Sequence, residues 1–219
     1  MSVKDKYRVV PIKTEECKEW FLKKHYAKRI PNSIFTFGIY SGSLLQGVVS
    51  YGMTANNNLN EIVEGVKAIE LNRLVINDDV DKNTLSFFVS QSLKMLPKPM
   101  VVISYADSGQ GHHGYIYQAT NWIYTGLGSG DVEFKKDGRQ YHRKKIYETL
   151  GTGSIENAIK HGYEVVKVYP KHRYIFLTGN KKQKKKMIEQ LPWQIEPYPK
   201  GKNIRYDADY KCSTQTTLF

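Results

Sequence analysis

Residues 101–125, VVISYADSGQGHHGYIYQATNWIYT, set a carboxylate, two imidazoles and several phenols among three glycines. Read at strand period, Val101, Ile103, Tyr105 and Asp107 share one face, which the first three bury and the fourth ends on a carboxylate. Ligands of open α/β sheets gather at such strand ends. The loop that follows supplies Gly109, Gly111 and Gly114, which tolerate positive φ and close backbone approach, together with His112 and His113. A helix starting near His113 carries Tyr117 one turn further along the same face. The loop residues Gly111, His112, His113 and Gly114 are therefore expected to face a substrate, and the set suits acid-base chemistry or metal ligation. A tight turn with two solvent-exposed histidines accounts for the same letters. Ser104 falls on the opposite face from Asp107 and is left out of the chemistry.

The elements that must position these residues are legible by period. Strands are predicted over 7–12, 34–40, 44–51 and 67–76, and helices over 15–26 and 83–96. Pro97 and Pro99 stop the second helix, and Tyr40-Ser41-Gly42-Ser43 has hairpin chemistry. With the strand at 101–107, its following helix and a strand including 174–177, the order predicts an α/β fold with helices packed on a mixed sheet. In the turn NDDVDKNT, Asp81 or Asn83 serves as a helix cap. Arg73 either meets a phosphate or, more simply for a residue in a sheet, pairs with Glu70 or Asp79.

Charge narrows the partner. The 219 residues carry 33 Lys and Arg against 21 Asp and Glu, a formal +12. The excess sits in Arg139, Arg143, Lys144 and Lys145, in Lys181, Lys182, Lys184, Lys185 and Lys186, and at Arg173, with Tyr141, His142, Tyr147, His172 and Tyr174 interleaved. Cations neutralise phosphates while flat rings stack bases, so double-stranded DNA is the expected partner and a solvated basic surface the plainer account. No apolar run is long enough to span a bilayer and no signal-peptide core opens the chain, so a cytoplasmic protein without a membrane partner is expected. Cys17 and Cys212 form no CxxC pattern. One domain over 1–219 is expected, with a basic insertion at 131–170 and a C-terminal arm at 195–219; the oligomeric state stays open, a homodimer on two-fold duplex DNA being one arrangement.

Three patches carry a family resemblance. YAD followed by GHHGYIYQATNWIYTG resembles the signature of the Mom family of phage DNA adenine-modification proteins. WFLKKHYAKRIP is similar to that family's helix ending in His-Tyr, and IELNRLVI to its strand carrying Glu-Leu and Arg-Leu. The resemblance implies an acetyltransferase-like (GNAT-like) fold and conversion of adenine in DNA to the N6-methylcarbamoyl form, which hides sites from host restriction enzymes. It also carries over His25, Tyr26, Asp107 and Tyr117 as catalytic residues and implies a role for iron, for which His25 and Asp107 are the candidate ligands. An exocyclic adenine amine is a poor nucleophile inside a duplex, so the base must be flipped out and one reactant activated, by a general base such as Asp107 or His25 or by a metal. NDDVDKNT departs from the glycine-containing turn that holds the pyrophosphate of coenzyme A in GNAT enzymes; its three aspartates argue against acetyl-CoA there and leave the donor of the two-carbon amide unassigned. An ordinary N-acetyltransferase acting on a small-molecule or protein amine and a non-catalytic DNA-binding protein are the alternatives.

Overall fold

Period-2 alternation builds the first half of the sheet. In the computed structural model, which describes residues 2–202 and Tyr210, the short helix α1 (Val3–Lys6) leads into β1 (Tyr7–Pro11), antiparallel to β2 (Phe35–Ser41). β2 turns at Gly42 into β3 (Leu44–Gly52), which pairs antiparallel with β4 (Ala68–Ile76). Helix α3 (Thr84–Met95) crosses over to β5 (Met100–Asp107), parallel to β4, as a strand reached through a helix must be. Short helix α4 (Tyr115–Ala119) and β6 (Ile123–Leu127) follow. The sheet is completed by β10 (Lys171–Thr178), giving the order β1-β2-β3-β4-β5-β10-β6. This mixed sheet flanked by helices is the α/β arrangement expected.

Helices cover both faces. Phe88, Val89 and Leu93 of α3 pack with Ile69, Leu71 and Val102, while Met187 of α7 (Lys181–Gln190) packs with Val101, Ile103, Ile175 and Leu177. Each fully buried apolar side chain contributes about 1.5–3 kcal/mol. β5 is thus buried on both faces, Ser104 included, rather than on the one face its alternation implied.

The predicted helix over 15–26 is shorter and changes kind. α2 (Thr14–Glu19) widens into a π-turn at Trp20–Lys24 that closes with His25 N–H on the Trp20 carbonyl at 3.0 Å. Trp20 and Phe21 pack with Tyr40, Leu45 and Val48, and His25 leaves the helix extended, with Tyr26 beyond it. The acidic turn after β4 is bonded rather than merely solvated: Lys24 Nζ meets Asp78 at 2.7 Å, with the lysine buried, and Lys6 meets Asp81 at 2.7 Å. Asn83 is the cap residue of α3 but sits at φ +69 without a side-chain cap bond.

Between β6 and β10 the chain makes a second sheet, order β8-β7-β9, from β7 (Asp131–Lys136), β8 (Arg139–His142) and β9 (Glu164–Val168). With α5 (Arg143–Leu150) and α6 (Ile155–Lys160) it closes a small core of Phe134, Ile146 and Ala158. After α7, residues 195–202 run back over β6 and α4: Glu196 N–H bonds Tyr124 O at 3.0 Å, Tyr198 OH bonds Trp122 O at 2.6 Å, and Gln118 Nε2 bonds Pro199 O at 3.2 Å. The rest of the expected arm, apart from Tyr210, lies outside the described residues, as does Cys212. Among the described residues no helix is long and apolar enough to cross a membrane.

Candidate active site

β4 and β5 pair only through Ala68–Val101, Ile69–Val102 and Glu70–Ile103, and then part. The opening is a cavity of about 1020 Å³, walled by the free ends of both strands, by His25 and Tyr26, by α4, and by Gly128, Ser129, Val168, Tyr169 and Lys171 at the root of the insertion. Of the four carried-over residues, His25, Tyr26, Asp107 and Tyr117 all line it, although they come from three separate segments.

A bulge adds two residues to that lining. Tyr51 pairs with Leu71 and Ser50 with Arg73, so Asn72 is an extra residue in β4. Its amide is clamped, Oδ1 accepting from Ser50 Oγ at 2.6 Å and Nδ2 donating to Asn32 O at 3.0 Å. A Cβ at Gly52 would stand 1.8 Å from that same Asn32 oxygen, so only glycine fits beside the bulge. Alternation places residues three apart on opposite faces of a strand; the extra residue lets Glu70 and Arg73 face the same cavity. Burial pushes the Glu70 carboxyl up, against the Ala55 N–H that bonds Oε2 at 3.2 Å and the cations of Lys171, Arg73 and Arg29. Arg73 makes neither of the ion pairs expected of it, since no carboxylate among the described residues lies within salt-bridge reach.

His25 is neutral and its tautomer is set. Burial, then Arg73, His112 and Arg29, bring the imidazole down to about 3. Nδ1 accepts the Ala27 N–H at 3.1 Å, which leaves the ring proton on Nε2. The free nitrogen therefore offers an N–H, not a lone pair. That does not suit the expected general base, and it does not suit a metal ligand, which would need the proton on the nitrogen facing Ala27. Among the described residues no three His, Cys, Asp or Glu side chains converge on one point.

Asp107 is engaged locally. Oδ1 accepts Gly109 N–H at 2.9 Å, the backbone carbonyl accepts His112 N–H at 3.1 Å, and Lys171 Nζ stands 3.9 Å from Oδ2. These bonds fold the loop so that His112 lines the cavity, its ring edge-on to Tyr26 at 6.2 Å. His113 turns away, 5.5 Å from His172 and under Gly201. Gly114, at φ +74, lies where a Cβ would meet the Tyr174 ring at 2.4 Å; Gly111, at φ +65, caps the turn without lining the cavity. The Tyr26 phenol is pushed up, first by desolvation and then by Asp107.

Ser104, excluded by strand alternation, is the partner of Tyr117. Its Oγ lies 2.7 Å from the Tyr117 hydroxyl and 2.9 Å from the Leu71 carbonyl. With one proton Ser104 serves either oxygen; turned toward Tyr117, it frees the phenolic proton for the cavity. Burial raises the Tyr117 phenol well above its ordinary range, so this group donates rather than accepts protons.

The basic residues divide. Arg139, Arg143, Lys144 and Lys145 are exposed on the insertion, whose root forms a cavity wall. Lys181, Lys182, Lys185 and Lys186 are exposed and Lys184 half-buried on α7, which starts beside Thr178, the end of β10 that pairs with Met100 and lies opposite Asp107. Arg173, expected among the DNA contacts, is consumed internally: Nε bonds Thr125 Oγ1 and Nη2 bonds Thr125 O, each at 2.9 Å, and the guanidinium stacks on Trp193.

The sequence profile of the Mom protein family matches residues 6–200. The chain belongs to the Mom family. It is 32% identical over 187 residues to the methylcarbamoylase Mom of Escherichia phage Mu, an alignment spanning 81% of this chain and 77% of that protein. Among solved structures, a chimera of the spermidine N-acetyltransferase SpeG from Vibrio cholerae overlaps the Mom-family chain with a TM-score of 0.47 at 12% identity, covering 83% of this chain and 98% of that one. An acetyltransferase from Salmonella typhimurium overlaps it with a TM-score of 0.46 at 8% identity, covering 80% and 95%.

Proposed function

We propose that this chain transfers a methylcarbamoyl unit to the exocyclic amine of adenine in DNA, and so masks phage DNA from restriction enzymes. The observation that carries the proposal is the cavity at the β4/β5 split, where a half-buried carboxylate, an N–H-bearing neutral imidazole and a buried phenol meet beside the root of a basic insertion. Membership of the Mom family and the identity with the phage Mu methylcarbamoylase support it. At about 1020 Å³ the cavity stands at the top of the ~300–1,000 Å³ range of ligand sites, enough for a base and a second reactant together.

Adenine must leave the stack to enter. The insertion's cations follow the phosphates while the base reaches the split between the strands. There the N6–C bond forms as the bond between the donor carbon and its leaving group breaks, and the pair departs with that group. The N6 proton passes to Glu70, whose carboxyl is held by burial above the usual carboxylate range, which makes it a stronger base than an exposed carboxylate. Tyr117 and the Nε2–H of His25 donate hydrogen bonds to the donor's polar atoms, and Asp107 holds the loop that brings His112 to the site. Mass spectrometry of nucleosides from plasmid DNA of cells expressing the chain tests the proposal. A deoxyadenosine carrying the methylcarbamoyl mass, absent with Glu70→Gln, is expected; unmodified DNA beside well-folded protein refutes it.

A further inference from the structure

We propose that Arg29 and Arg73 form a phosphate-binding subsite inside the cavity. Both residues line it. Arg73 is half-buried, placed there by the Asn72 bulge, with Nη1 turned to the carbonyl of Asn72 and Nε buried without a partner. Among the described residues no carboxylate lies within salt-bridge distance of either arginine. Burial first, and then Arg29, disfavour the charge on Arg73, and both arginines add to the burial that disfavours a charge on His25. Glu70 and Tyr26 offset part of that repulsion on Arg73. Glu70 is itself held by the Ala55 N–H and stays beyond ion-pair reach.

Two adjacent guanidinium forks, one with an unmet buried donor, match a tetrahedral oxyanion with several acceptor oxygens. A bound phosphate would give the buried Arg73 Nε–H the acceptor it lacks. This subsite is not the turn after β4, where Asp78 and Asp81 bring negative charge and are already bonded to Lys24 and Lys6. Two sources of a phosphate have the right chemistry: the DNA backbone beside the extruded adenine, which rests on the methylcarbamoylase proposal, and a phosphorylated donor, which does not.

The test uses the full chain and its Arg73→Gln and Arg29→Gln forms, with thermal melting to confirm folding; Arg29 is exposed, so its variant guards against loss of structure at Arg73. Binding is measured for an adenine-containing duplex and for the same duplex with one neutral methylphosphonate beside the adenine, and inorganic pyrophosphate is titrated separately. If the phosphate is the backbone's, the methylphosphonate weakens native binding about tenfold and leaves both variants unaffected. If it is the donor's, pyrophosphate binds the native chain at least tenfold more tightly than either variant, while the methylphosphonate acts equally on all three. Equal pyrophosphate affinities together with equal methylphosphonate effects overturn the subsite. None of these readouts needs turnover, so the absence of modified deoxyadenosine would leave them standing.

Discussion

Replacing His25 by Gln is expected to leave DNA modification within about tenfold of the native rate, whereas His25→Ala loses about 10²–10³-fold, the usual cost of one transition-state hydrogen-bond donor. The reasoning starts from the ring. Held at about 3 instead of 6.5, it is charged in about one molecule in ten thousand at neutral pH, and about 5 kcal/mol stands against protonating it. A histidine that had to take a proton would begin from that deficit. One that presents Nε2–H, with Nδ1 occupied by the Ala27 N–H, does not. The Gln amide offers an N–H at similar reach and cannot act as a base. Its cost to folding is the Ala27 bond, about 0.5–1.5 kcal/mol. The assay is a time course of modified deoxyadenosine in plasmid DNA at matched amounts of folded protein, with elemental analysis of the purified chains. A Gln form as inactive as the Ala form, together with iron in the native chain that both variants lack, would refute the donor role and restore His25 as a ligand.

Tyr117→Phe should lose about 10²-fold in rate and only about 1 kcal/mol in stability by denaturant titration, because without the phenol Ser104 gives its proton to the Leu71 carbonyl. Glu70→Gln should lose at least 10²-fold in modification yet melt higher at neutral pH, since burial disfavours the carboxylate it removes; a lower Tm would contradict the burial argument. Acid titration of stability checks the sign at His25: the unfolded ring takes its proton near 6.5 and the folded ring near 3, so stability falls as pH drops through that window, and His25→Gln should flatten the fall. Gly114→Ala should destabilise by about 2–4 kcal/mol in chemical denaturation, from the positive φ and the clash with Tyr174. Neutralising Arg139 and Lys144 together should lower the slope of log affinity against log salt by about 1.8 if both reach phosphates.

Much of this was written in local pattern. Strand alternation, the glycine turns and the proline stops gave the order of elements, and four residues named from family motifs do line one cavity. What stayed hidden was nonlocal. The π-turn at Trp20–Lys24 follows from burying Trp20 and Phe21 against β2 and β3, which no helical period announces. Ser104 was dismissed because it faces away from Asp107, yet a strand buried on both faces has chemistry available on each. Arg173 read as a DNA contact because Thr125 and Trp193, which consume its donors and its face, are distant in sequence. For Arg73 a phosphate contact and a pair with Glu70 or Asp79 both stood open, and what the spacing hid was the shared cavity, since residues three apart share a face only when one residue is added between them.

That added residue ties the fold to the chemistry. The bulge at Asn72 lies just past Glu70, the last residue of β4 that pairs with β5, so one irregularity sits where the strands part and determines which side chains line the gap. A regular strand would set the carboxylate and the guanidinium on opposite faces of the sheet. With the bulge, a proton acceptor and one arginine of the proposed oxyanion site come from four consecutive residues, while the neutral imidazole and the phenol arrive from the π-turn and from α4. The clamp that holds the bulge, Asn72 between Ser50 and the Asn32 carbonyl, touches none of the reacting groups. It is nevertheless the part of the molecule on which their common orientation depends.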